Sequence, residues 1–170
     1  MSTPIDARRA PEVLVPGSGH HLHFLNHLAT VKVRGGEDGA LSVVEFTAER
    51  GLGPPLHLHE DEDELFVVLE GRVAFHSGEE VTLAEQGSLA FLPHGIAHTF
   101  QVHSDTARFV CVTASLARAP RFDQMVAELG VPVPTPSLPA PGPIDPGRVA
   151  EVNASFGIQI LGPPPEPLAP

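Results

Sequence analysis

The sequence predicts an all-β sandwich or barrel carrying a short helical extension at its C-terminal end. Three observations lead there. Short apolar or alternating runs recur from about His21 to Phe122, turn residues separate them, and no long helical period interrupts the series. Many short strands at such spacing form a sandwich or barrel, whereas a parallel α/β fold would need helices between them.

The elements follow in chain order. Residues 1–19 are polar with scattered Pro and Gly and read as a flexible N-terminal arm. His20, His21, His23 and His27 cluster next. Their spacing allows a second metal site, but a first strand or an entrance is the plainer reading. Thr30–Val33 is β-branched, Leu41–Thr47 is rich in Val and Phe, and Leu65–Leu69 is almost wholly apolar. Arg72–His76 and Val81–Leu83 alternate, and Leu89–Leu92, His98–His103 and Arg108–Thr113 complete a barrel expected over residues 20–120. Gly35-Gly36, Asp38-Gly39, Glu70-Gly71, Ser77-Gly78, Gln86-Gly87 and Ser104-Asp105 supply the turns.

Residues 121–170 change character. Phe122, Met125, Val126 and Leu129 recur at helical spacing, with Gly130 as the stop. Val131–Pro146 holds seven prolines and is extended or looped. Asp145-Pro146 reads as an N-cap followed by Pro at the first helical position. Val149, Val152 and Phe156 line a short helix that Gly157 closes, and Ile158–Leu161 is a last apolar stub that packs on the barrel or on a partner subunit.

Composition narrows the functions. The chain has 170 residues, enough for one domain with a real core. Its net charge is −11, with ten Lys and Arg in total, so it lacks the cationic stripe that nucleic acid requires. No apolar run approaches the about 20 residues of a membrane span, and Arg8 and Arg9 are followed by no apolar stretch, so a signal peptide is not expected. The expectation is a soluble, cytoplasmic protein. A single cysteine, Cys111, rules out an internal disulfide.

Ten histidines are the chemical hint. His57 and His59, two apart on a strand, point to one face. Glu64 has the wrong parity to continue that strand, so Glu60–Asp63 is read as a solvated loop that resets the register before Leu65–Leu69. His98 opens the strand that holds Phe100 and Val102 and is read as the fourth ligand. Imidazoles with a carboxylate suit one divalent transition metal, of the set Fe, Mn, Ni, Co, Cu or Zn, better than Ca or Mg. The face shared with the ligands offers Phe66, Val68, Phe100 and Val102 as a substrate pocket, with Phe46 and Phe91 as candidates to join it; ordinary barrel core is the competing reading. His94 lies in a turn from which it is a candidate for the pocket mouth.

At these residues the sequence resembles a known family. Gly51-x5-His57-x-His59-x4-Glu64-x6-Gly71 and Gly87-x5-Pro93-x-Gly95-x2-His98 resemble the two motifs of the cupin superfamily, with Val102 where the second motif commonly ends in Asn. The resemblance implies a double-stranded β-helix, or jelly-roll, barrel that binds one metal on His57, His59, Glu64 and His98. Pro54–His59, Glu64–Gly71, Phe91–Gly95 and the tail at Gly157–Pro164 are similar to single-domain bacterial cupins grouped with quercetin 2,3-dioxygenase. That implies a dioxygenase whose metal binds the hydroxyl of an aromatic, flavonol-like substrate, with Glu64 doubling as general base and dioxygen as co-substrate. A metal-dependent cyclase or isomerase of polyketide or sugar-like substrates is the alternative, and a non-enzymatic small-molecule-binding cupin is a third. Because cupins pair their barrels edge to edge, a homodimer is expected.

Overall fold

Two antiparallel sheets face each other across one apolar core. A computed structural model describes residues 11–36 and 39–166. The first ten residues of the expected arm, and Asp38 of the Asp38-Gly39 turn, lie outside them. The strands are β1 (His20–Phe24), β2 (His27–Val33), β3 (Leu41–Glu49), β4 (Leu56–His59), β5 (Asp63–Glu70), β6 (Arg72–Ser77), β7 (Glu80–Glu85), β8 (Leu89–Leu92), β9 (His98–Val102), β10 (Thr106–Ala114), β11 (Val131–Pro132) and β12 (Ile158–Gly162). Helices α1 (Phe122–Leu129) and α2 (Pro146–Ser155) lie between the last strands. One sheet runs β11-β1-β2-β3-β10-β5-β8 and the other β12-β4-β9-β6-β7. The fold is all-β, a jelly-roll barrel with a C-terminal helical segment.

The strands form where the side chains alternate. β3 and β10 bury every second residue, and their register sets Phe46 opposite Phe109. Phe109 is fully buried, stacked on Phe46 at 5.7 Å between ring centroids and edge-on to Phe100 at 5.1 Å. Phe66 adds contacts at 5.6 Å to Phe100 and 6.0 Å to Phe109, so the middle of the barrel is an aromatic plug. β9 is buried along its whole length, because its outer face is covered too. Thr99 Oγ1 donates to the Pro54 carbonyl at 2.7 Å and Gln101 Nε2 to that of Pro165 at 3.1 Å.

The C-terminal segment belongs to the sheets. The apolar stub is β12, which pairs with β4 and sets Ile160 opposite His57. β11 extends the other sheet against β1. Asp145 caps α2 as expected, its carboxylate accepting from the N–H of Gly147 at 2.9 Å and of Arg148 at 3.2 Å. Gly130 ends α1 for a different reason from the usual one. Its backbone is extended, at φ −90°, and the glycine is needed for space: a Cβ there would meet the Val126 carbonyl oxygen at 2.7 Å and Leu22 at 3.0 Å.

β1 and β2 form a hairpin that the turn residues do not announce. Leu25 and Asn26 take φ of 47° and 66° without a glycine. Asn26 is held by two bonds to Gly142, its Nδ2 donating to the carbonyl and its Oδ1 accepting from the N–H, each at 3.0 Å. The proline-rich connection therefore clasps the hairpin from outside.

Candidate metal centre and cavity

The two sheets each deliver part of one cluster. Period-two alternation on β4 turns His57 and His59 inward and leaves Leu56 and Leu58 on the other face. β9 places His98 directly opposite His57. Glu64 comes from β5 in the facing sheet. One candidate ligand atom from each of His57, His59, Glu64 and His98 lies within 4.8 Å of all the others, and every one of the four residues is buried.

Local bonds aim the imidazoles. His57 Nδ1 donates to the Pro55 carbonyl at 2.8 Å, and His98 Nδ1 donates to the Ile96 carbonyl at 2.8 Å. A carbonyl can only accept, so the proton sits on Nδ1 in both and Nε2 faces the cluster. His98 Nε2 lies 2.9 Å from Glu64 Oε2, and His59 Nε2 lies 3.4 Å from the same oxygen. Neither ring nitrogen of His59 has a hydrogen-bond partner, although the ring is 1% exposed. Cys111 closes the cluster from β10, its thiol donating to Glu64 Oε1 at 3.3 Å.

The electrostatics are those of a site made for a cation. Burial pushes the His57 imidazole down to about 4, and it lowers His59 as well. Burial would raise the Glu64 carboxyl, but the facing His59, His98 and His57 outweigh it and hold the group below the usual carboxylate range. Burial would lower His98, yet its bond to Glu64 and that carboxylate's charge raise it, so without metal a proton bridges the two. A divalent metal fits this set. It would take the bridging proton's place, satisfy the orphaned His59 nitrogen, and find two further Nε2 atoms already oriented by carbonyls, as ligating histidines are.

A cavity of about 540 Å³ opens on the cluster, with His57, His59 and Glu64 in its wall. Of the residues read as a substrate pocket, Phe46, Phe66 and Phe100 line it. Three other expected pocket residues do not. Val68 and Val102 point inward but sit two residues farther along β5 and β9, behind the aromatic plug. Phe91 is 58% exposed, because alternation on β8 turns Leu92 inward and Phe91 outward. The sequence reading missed much of the rest of the wall, including Phe122 and Met125 from α1, Val149 and Asn153 from α2, and Ile158 and Ile160 from β12. The 3.6-residue period of the helices and the alternation of Ile158 and Ile160 were the signals available.

Two other expectations change. Glu60–Asp63 is no free solvated loop; it is docked on the C-terminal segment. Glu62 is buried and accepts from the Arg121 N–H at 2.8 Å, Asp61 pairs with Arg118 at 3.0 Å, and Glu60 accepts from Gln159 at 2.9 Å. Asp63 holds His94 at 2.6 Å, so His94 stays on the surface and away from the cavity wall. The N-terminal histidines form no second cluster among the described residues: His21 bonds Thr30, His23 bonds Ser137, and His27 bonds the Leu25 carbonyl. No helix among those residues is long and apolar enough to cross a membrane.

Known proteins carry the same pattern. Residues 44–113 match the family model described as a cupin domain. Over 106 residues the chain is 31% identical to quercetin 2,3-dioxygenase of Bacillus subtilis (strain 168), a match spanning 62% of this chain and 32% of that protein. Over 63 residues it is 36% identical to oxidoreductase iacF of Pestalotiopsis fici, spanning 36% of this chain and 31% of that one. The chain thus spans about a third of the length of these two relatives. Among solved structures, an RmlC-like cupin from Shewanella frigidimarina is similar with a TM-score of 0.52 at 14% identity, over 62% of this chain and 92% of that one. That likeness is one of fold. The motif match, the two-sheet barrel and the buried four-residue cluster agree: residues 44–113 form a cupin domain, and the chain is similar over part of its length to quercetin 2,3-dioxygenase.

Proposed function

We propose that the chain is a metal-dependent dioxygenase of the quercetin 2,3-dioxygenase type, with His57, His59, Glu64 and His98 as ligands and an aromatic, flavonol-like substrate. The observation that carries this reading is the composition of the cavity wall. Among the described residues Glu64 is the one carboxylate in it, no Lys or Arg joins it, and the remainder is largely apolar and aromatic. A flat, hydrophobic molecule loses little on entering such a space, whereas a sugar-like substrate would leave many hydroxyls without partners. The cyclase or isomerase alternative on sugar-like substrates is therefore disfavoured.

The chain's own residues supply binding and proton transfer. Phe46, Phe66, Phe100 and Phe122 form ring faces that orient an aromatic occupant with its hydroxyl toward the cluster. Glu64 accepts the hydroxyl proton at Oε2, the oxygen that faces His59 and His98. Cys111 donates to the other carboxylate oxygen, Oε1, and so leaves Oε2 to the cluster. When bound, a divalent transition metal supplies Lewis acidity to the coordinated hydroxyl and redox capacity toward dioxygen.

Quercetin incubated with metal-loaded protein should lose its long-wavelength absorbance in air and keep it under nitrogen. Glu64→Gln should slow that loss by about 10²–10⁴-fold. Unchanged absorbance in air, with metal content verified by elemental analysis, refutes the dioxygenase reading.

A further inference from the structure

His27 stands in the cavity wall and has no part in the cluster. It lies on β2, three strands from Glu64 across the sheet order, with β3 and β10 between. That is about 14 Å across the sheet at 4.8 Å strand spacing, and the register offsets the two residues by about six positions along the strands as well. A path of ring contacts joins it to the cluster: His27 to Phe46 at 6.5 Å, Phe46 to Phe122 at 6.2 Å, and Phe122 to His59 at 6.0 Å. His27 therefore occupies the side of the cavity away from His59, with apolar rings between.

Its orientation repeats a device seen in the cluster. His27 Nδ1 donates to the carbonyl of Leu25, two residues earlier, at 2.6 Å. His57 bonds Pro55 and His98 bonds Ile96 in the same way, also two residues back. In each case Nδ1 carries the proton and Nε2 is presented on the opposite edge of the ring. Burial holds His27 below the ordinary imidazole range, and the carbonyls of Leu25 and Phe24 offset this only in part, so the ring is neutral and Nε2 is an acceptor. The residue is 6% exposed, and no side chain among the described residues bonds Nε2. The backbone supporting this arrangement is unusual, with Leu25 at φ 47°. An imidazole fixed through its Nδ1 bond in the wall of an apolar cavity, with no side chain bonding Nε2, can serve as a recognition group.

We propose that His27 reads a hydrogen-bond donor on the cavity's occupant. The ligand is then an elongated apolar ring system with an oxygen for the four-residue cluster at one end and a hydroxyl for His27 Nε2 at the other. This rests on the reading of the cluster as a metal site for an aromatic hydroxyl, and it names His27 as a specificity-determining residue.

The test uses protein loaded with Co(II), without oxygen, and two probes: 3-hydroxy-4′-phenylflavone and 3-hydroxy-4′-(4-hydroxyphenyl)flavone, the second a dihydroxy probe whose added hydroxyl lies at the far end of the extended ring system. The Co(II) absorption reports arrival at the cluster, and calorimetry gives affinity. Wild type should bind the dihydroxy probe about tenfold more tightly, the worth of one buried hydrogen bond. His27→Phe should keep its metal and the Co(II) response to both probes but lose the preference. His27→Gln, whose amide oxygen also accepts, should retain part of it. A shifted Co(II) spectrum with no preference in wild type, or the same preference in His27→Phe, overturns the role of His27 and leaves the metal site standing. A Gln variant as indifferent as the Phe variant also overturns it. If neither probe binds or alters the spectrum, the aromatic-hydroxyl reading falls and this inference with it.

Discussion

At the scale of residues, the centre depends on opposed effects acting on four side chains. Burial lowers His57 and His59, while their charges and that of His98 lower Glu64. A lowered folded-state pKa means that stability is fully present above the unfolded value and is lost as pH falls through the folded one. For His57 that window runs from the ordinary 6.5 down to about 4. His98, raised by Glu64, acts in the opposite sense. Denaturant titrations of metal-stripped protein should therefore show stability falling with acid across this window. His57 contributes on the order of 3 kcal/mol of the fall, so His57→Asn should flatten the slope. An unchanged slope in the variant would show that His57 is not held neutral by burial.

At the scale of elements, β4 is the strand that matters most, and it is short. It carries two of the four cluster residues in four positions and is stabilised on one side by β9 and on the other by β12. The C-terminal strand thus supports the cluster from the far end of the sequence. Ile158 is 2% exposed, pairs opposite His59 and lines the cavity. Ile158→Ala should lower unfolding stability by about 2–5 kcal/mol and weaken metal retention on dialysis, because the β4 backbone beneath His59 loses its packing. Equal metal retention at reduced stability would mean that β12 only closes the cavity and does not position the cluster. The sequence reading found α1, α2 and the stub from their periodicity and caps. It could not place them, since an amphipathic face states that it is buried without stating against what. The β1–β2 hairpin was hidden for another reason: its turn uses Leu25 and Asn26 where a glycine would have marked it.

At the scale of the whole molecule, no strand among the described residues pairs beyond β8, whose outward side chains are apolar. Leu89 is 61% and Phe91 58% exposed, next to the half-buried outward Val67 and Leu65 of β5. An uncovered apolar edge strand invites pairing. We expect a homodimer through this edge. Light scattering should give twice the chain mass, and Phe91→Glu should shift it to monomer with its metal intact. A monomeric wild type at micromolar concentration would remove the idea.

The sequence by itself determined the fold class, most of the barrel strands, the Asp145 cap of α2 and the four residues that cluster. Parity along a strand, turn chemistry and the spacing of the two motifs are local facts, and local facts are written in order along the chain. Only the tertiary structure decided what surrounds the cluster. Cys111 against Glu64, the acidic loop docked on Arg118 and Arg121, the cavity wall from α1, α2 and β12, and His27 beyond the phenylalanine rings all join residues distant in sequence. Inward-facing positions on a strand look alike in one dimension. Whether a residue such as Phe66 or Val68 meets the cavity or the plug depends on how high along the barrel it sits, and that is set by the packing of the two sheets together.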